Sequence, residues 1–215
     1  TVDNLVDGSF FNSGQSCCGI ERIYVDEKIF NSFLELFISK TYNYKLGNPL
    51  EQENNLGPVV KLSAAEFIIN QMNKALDKGA KKMIDENKFH FPKEHKNYLV
   101  PQILTNVTHE MDFMTEETFG PCVGIMKVSD ENEAVKLMND SPYGLTASIW
   151  TNDVEIAEKI GNQVQTGTFF MNRCDYLDPA LSWTGVKETG KGCSLSEIAY
   201  EKLTAPKSFH LRKGQ

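Results

Sequence analysis

With 215 residues, 40% of them hydrophobic and 24% charged, the chain is long enough for one large domain with a sizeable core. A net charge of −7 argues against a basic nucleic-acid footprint, and no run approaches the ~18 apolar residues of a membrane span. Five cysteines, an odd number without zinc-finger spacing, fit a reducing compartment better than a disulfide framework, so a cytoplasmic location is expected. The chain opens on Thr1 rather than Met and reads as a piece of something longer.

Elements can be taken in chain order. Residues 22–25 read as a strand, and Asp26 is placed to cap a helix that lines up Ile29, Phe30, Phe33, Leu34, Phe37 and Ile38 on one face. Gly47-Asn48-Pro49 is a turn. Ser63 with Glu66 has capping-box spacing and should open a helix carrying Phe67, Ile68, Met72 and Leu76, stopped by Gly79. A charged loop over 85–96 leads to strands at 98–104 and 122–128. A helix over 131–138, a strand over 146–150, a helix over 153–160 and a strand over 167–171 follow, and 207–211 looks extended. This alternation predicts a single α/β domain over 1–215, its largely parallel sheet flanked by helices.

The chemistry concentrates in Phe11-Asn12-Ser13-Gly14-Gln15-Ser16-Cys17-Cys18-Gly19. Glycines around adjacent cysteines allow a tight turn that holds one thiol clear of the fold with free N–H groups beside it, which suits a nucleophile and its oxyanion. Small buried cysteines are the structural alternative.

Phe11, Asn12, Gly14, Gln15 and Cys17, with Arg22 five residues beyond, resemble the active-site signature of the aldehyde dehydrogenase superfamily. Glu116-Glu117-Thr118-Phe119-Gly120-Pro121 resembles that family's second motif. The resemblance implies that Cys17 is the nucleophile and that Phe11 lines the substrate channel. It also implies that Glu117 accepts hydrogen bonds from the nicotinamide ribose and that Phe119 packs near the nicotinamide ring. NAD or NADP is then the cofactor and a small aldehyde the substrate, oxidised to a carboxylate through a Cys17 thiohemiacetal and thioester. The likeness continues through Lys45-Leu46-Gly47-Asn48-Pro49, Ser141-Pro142-Tyr143-Gly144-Leu145 and Gly167-Thr168-Phe169-Phe170-Met171-Asn172. It places Asn172 and Leu177 beside the channel.

Where the family commonly reads Pro-Phe-Gly-Gly-x-Lys, this chain has Ser182-Trp183-Thr184-Gly185-Val186-Lys187, so Trp183 supplies a larger aromatic wall. Arg173, Cys174, Asp175 and Asp178 suggest a polar rim. The family's nucleotide-binding domain and its general-base glutamate precede the cysteine motif and are not found here. The isolated chain is therefore expected to be inactive as a dehydrogenase, and a non-catalytic binding or assembly module is the alternative. Within the extended 206–215 tail, residues 207–211 resemble a terminal strand that pairs across subunits, so a homo-oligomer is expected for the whole protein. Gly185–Lys191 imitates a phosphate-binding loop but continues with Gly192 instead of Ser or Thr, and His90 and His95 lack companion ligands, so no metal is assigned.

Overall fold

The computed structural model describes residues 1–91, 94–174 and 176–214. Pro92 and Lys93 of the charged loop, Asp175 of the expected rim and the terminal Gln215 lie outside the described residues.

Apolar and β-branched runs become the strands. β1 (Arg22–Asp26), β2 (Lys81–Lys82), β3 (Gln102–Thr105) and β4 (Cys122–Val128) form a sheet in the order β1-β4-β3-β2. β1 and β3 run parallel to β4, with Arg22 opposite Gly124 and Gln102 opposite Cys122, while the short β2 is antiparallel to β3. Helices α1 (Val2–Phe10) and α2 (Phe30–Thr41) cover one face, and α3 (Leu62–Asp77) covers the other. Because side chains alternate across a strand, Ile103, Val123 and Ile125 join Leu5, Phe10 and Phe37 on the α1–α2 side. Leu104 and Cys122 join Ile68, Met72 and Met114 on the α3 side. A strand covered on both faces needs apolar residues in succession, which is how 122–128 could be read without alternation.

After β4 the chain builds a smaller unit. α4 (Glu131–Asn139) leads to β5 (Thr146–Ile149), and α5 (Val154–Gly161) leads to β6 (Thr168–Met171). β5 and β6 are parallel, with Thr146 opposite Thr168. β7 (Trp183–Thr184) and β8 (Cys193–Ser194) pair antiparallel, α6 (Ile198–Leu203) follows, and 204–214 runs exposed without regular structure. The expected α/β class and mainly parallel pairing are what the chain adopts.

Several local expectations change. Asp26 does not cap α2: its carboxylate accepts the Lys28 N–H at 2.8 Å, a tight turn that delays the helix to Phe30. The Ser63–Glu66 capping box does not form, because α3 starts at Leu62 with extended Lys61 at its N-cap and Ser63 already inside the first turn. Gly79 does end α3, at φ 101°, with its N–H bound to the Leu76 carbonyl at 2.9 Å. The strand expected over 98–104 begins only at Gln102. Helices α1 and α6 are additions to the sequence reading.

Candidate active site

α1 ends at Phe10, and the backbone then passes through three consecutive left-handed residues, Asn12 (φ 50°), Ser13 (φ 58°) and Gly14 (φ 71°). For a residue with a Cβ this costs about 1–2 kcal/mol, and the motif's own side chains offset it. Asn12 Nδ2 donates to the Gln15 carbonyl and Gln15 Nε2 donates to the Asn12 carbonyl, both at 3.0 Å. The turn is also stapled to a distant segment: Ser13 Oγ donates to the Gly57 carbonyl at 2.6 Å, and Gln15 Oε1 accepts the Val60 N–H at 2.7 Å. Gly14 is required twice over, because a Cβ there would run into the carbonyl oxygen of Gly120. The two sequence motifs therefore touch through backbone.

This turn leaves Cys17 exposed and Cys18 buried. Desolvation, and after it the adjacent Cys18, hold the Cys17 thiol above its usual range, while the N–H groups of Cys17 and Cys18 act in the opposite direction. The resting group is a protonated thiol at neutral pH, so nucleophilic use requires a base.

Glu117 owes its position to a residue that the sequence reading passed over. The Glu21 carboxylate accepts the Thr118 N–H at 3.0 and 3.1 Å and the Phe119 N–H at 2.9 Å. Phe119 sits at φ 54°, a conformation that these bonds help to hold. Arg22 Nη1 donates to the Met114 carbonyl at 3.0 Å, so neighbours at the start of β1 fix both ends of the 114–119 segment. Burial raises the Glu21 pKa, against the lowering effect of the Phe119 and Thr118 N–H groups. No local spacing marks Glu21; its role exists only once the fold brings 118–119 beside it.

A cavity of about 730 Å³ brings Cys17, Glu117 and Trp183 together, with Glu21, Tyr143 and Glu188 also on its wall. Phe11, Phe119 and Leu177 are exposed and are not among its lining residues. Asn172 is also outside the lining: its amide donates to the Thr151 carbonyl at 2.7 Å and accepts the Thr151 N–H at 3.0 Å, clamping the ends of β5 and β6. Cys174 is buried under α1, donating to the Asn4 carbonyl at 3.3 Å, so it contributes nothing to a polar rim.

Fold and site define an α/β domain that presents one thiol on a rigid turn, facing the same cavity as a carboxylate held by a second loop. The aldehyde dehydrogenase family model matches residues 1–209, and the chain belongs to that family. An aldehyde dehydrogenase of Emericella nidulans is 34% identical over 220 residues, covering 99% of this chain and 43% of that protein. The succinate semialdehyde dehydrogenase Sad of Escherichia coli is 34% identical over 202 residues, covering 94% and 43%. Betaine aldehyde dehydrogenase from Staphylococcus aureus, solved in complex with NAD+, superposes with a TM-score of 0.86 at 29% identity, covering 94% of this chain and 40% of that one. The chain thus spans about two fifths of the length of these relatives.

Proposed function

We propose that Cys17 is the nucleophile of an NAD(P)-dependent oxidation of an aldehyde to its carboxylate, performed by the protein that contains this chain. The observation that carries this reading is the presence of Cys17 and Glu117 on one cavity, each held by loop-to-loop hydrogen bonds. The thiol first loses its proton to a base, since its pKa is raised. Sγ then adds to the aldehyde carbonyl to give a thiohemiacetal, and the Cys17 backbone N–H donates to the developing oxyanion. After oxidation the thioester on Cys17 is hydrolysed by water, for which a thiolate is a competent leaving group.

The cavity suits the ribose end of a dinucleotide. An ionised Glu117 is a pure acceptor and can take both of two vicinal hydroxyls. NAD(P), when bound, supplies the two-electron acceptor. Arg22 is the one Lys or Arg side chain among the described lining residues, and its guanidinium is engaged by Met114, so these residues offer no free cationic side chain to a pyrophosphate. On that ground the 215-residue chain alone is proposed to lack dehydrogenase turnover. Trp183 is the channel wall, Phe119 the packing surface for the nicotinamide, Phe11 and Leu177 exposed apolar residues available to the channel, and Asn172 a positioning residue. A homo-oligomer is proposed for the whole protein.

The test uses the whole protein with NAD or NADP and a panel of short aldehydes. Cys17→Ala should abolish NAD(P)H formation and ester hydrolysis together. Glu117→Gln should slow NAD(P)H formation roughly ten- to a hundredfold, the weight of a charge-assisted hydrogen bond, while largely sparing ester hydrolysis. Turnover that survives Cys17→Ala would overturn the assignment.

A further inference from the structure

Two consecutive amides, those of Thr118 and Phe119, point at one carboxylate. Glu21 Oε1 accepts both, at 3.0 and 2.9 Å, and Oε2 takes the Thr118 N–H again at 3.1 Å. Successive N–H groups converge in this way where a left-handed residue closes a nest, a backbone hollow that binds an anion, and Phe119 at φ 54° is that residue. The chain supplies the anion itself. We propose that the charge of Glu21, and not its bulk, shapes the 117–119 segment, so that Glu21 is a positioning residue for the nicotinamide step and that step is lost as Glu21 takes up a proton. The proposal rests on Glu117 and Phe119 being the cofactor-facing pair, and adds the control of that pair by pH.

The segment has fixed points on every side. The main-chain carbonyl of Glu21 accepts the Gly124 N–H of β4 at 3.0 Å, so the base of the side chain is tied to the sheet while its tip holds the nest. Before the nest, the Met114 carbonyl is held by Arg22. Beyond it, the Gly120 carbonyl accepts the Cys122 N–H at 2.7 Å and lies against Gly14 of the thiol turn. Between those points the shape is set by the nest alone.

A left-handed Phe is unfavourable, and a charge-assisted hydrogen bond is about twice as strong as a neutral one. Ionised, Glu21 offers two acceptor oxygens. Protonated, it keeps one good acceptor and turns a hydroxyl, itself a donor, toward N–H groups that are donors too. The left-handed turn then loses its main support.

The surroundings leave this charge open to change. Burial raises the Glu21 carboxyl, the Phe119 and Thr118 N–H groups lower it, Glu117 raises it and Arg22 lowers it, with burial the largest influence. The Cys122 thiol of β4 and the Tyr143 hydroxyl ahead of β5 face it as well. Both are raised first by burial, Cys122 then by Glu21, and Tyr143 by Glu116, Glu117, Glu188 and Glu21. The fold thus resists the ionisation that the segment needs, and proton uptake starts above the ordinary carboxylate range.

The test uses the whole protein, first without cofactor. Hydrogen exchange of the 117–119 amides, corrected for the chemical rate, should quicken about tenfold in Glu21→Gln at neutral pH, the difference between a charge-assisted and a neutral bond. The unmodified protein should lose the same protection on acidification from neutrality into the carboxylate range. With NAD or NADP, the ratio of NAD(P)H formation to ester hydrolysis cancels the titration of Cys17, which both need. That ratio should fall about tenfold over the same acidification, and should be low and flat in Glu21→Gln. Glu117→Gln separates the two carboxylates: removing the like charge should move the fall to lower pH, whereas a fall that vanishes would make Glu117 the titrating group and overturn the proposal. Unchanged exchange in Glu21→Gln, or a ratio that keeps its pH dependence in that variant, would overturn it too. If the unmodified protein forms no NAD(P)H at any pH, the reading of Glu117 and Phe119 fails instead, and the exchange result decides by itself whether the charge of Glu21 shapes the segment.

Discussion

β3–β4 and β5–β6 are pairs of parallel strands with similar residues and different fates. Every residue of β3 is buried, and Ile103, Leu104, Val123 and Ile125 are at zero exposure. β5 and β6, with Ile149, Phe169 and Phe170, have no fully buried residue. The apolar content is comparable; the neighbours are not. β4 has a strand on each side and helices on both faces, whereas among the described residues β5 has a strand on one side only. Burial is a property of the completed sheet, and the β5–β6 unit has the composition of a core strand pair without the surroundings of one.

The comparison is broken or sharpened most strongly by paired truncations. Ile125→Ala should destabilise by about 2–5 kcal/mol, the range for a buried aliphatic side chain, while Ile149→Ala should cost about 1–2 kcal/mol. Denaturant unfolding followed by two probes would check this, and equal losses would mean that β5 is as well packed as β4. Gly14→Ala comes next. The left-handed backbone and the Gly120 carbonyl in the way of a Cβ should together cost about 2–4 kcal/mol, lowering the melting temperature. An undisturbed melt would show that the two motifs do not depend on that backbone contact.

Smaller effects are tied to titration. The Glu21 carboxyl is raised in the folded chain, so the folded state binds that proton more tightly than the unfolded state does. Its contribution is present at low pH and lost as the pH rises through the carboxylate range and up to the raised folded value. Glu21→Gln should therefore flatten the fall in melting temperature over that window, and an unchanged pH profile would contradict it. For Cys17, whose thiol is raised by desolvation, the alkylation rate should climb about tenfold per pH unit from 7 to 9, following the thiolate fraction. A rate that is flat across this range would mean that the thiol is already ionised.

Much of this was legible in the residues. β4 at Cys122–Val128 emerges with the bounds its apolar run suggested, and α4 and α5 fall within one residue of the expected 131–138 and 153–160. Cys17, Glu117 and Trp183, from widely separated segments, do meet on one cavity. What local patterns could not carry depends on distant partners. The capping box failed because Gln15, 45 residues earlier, holds Val60 by its N–H, and the chain stays extended to Lys61 before α3 begins. α1 was hidden by Gly8 and Ser9 within its nine residues, poor helix formers kept in place by the burial of Leu5, Val6 and Phe10. The two bonds that the Asn172 amide makes to Thr151, 21 residues away, were equally out of reach of any local pattern.

The central claim is that the Asn12–Gly14 turn singles out one thiol among five cysteines. The direct measurement is limited alkylation of the folded protein with iodoacetamide at neutral pH, followed by peptide mapping over time. Cys17 should be modified first, ahead of the partly exposed Cys193 and well ahead of the buried Cys18, Cys122 and Cys174. Modification of Cys193 or of a buried cysteine while Cys17 stays intact would contradict the account.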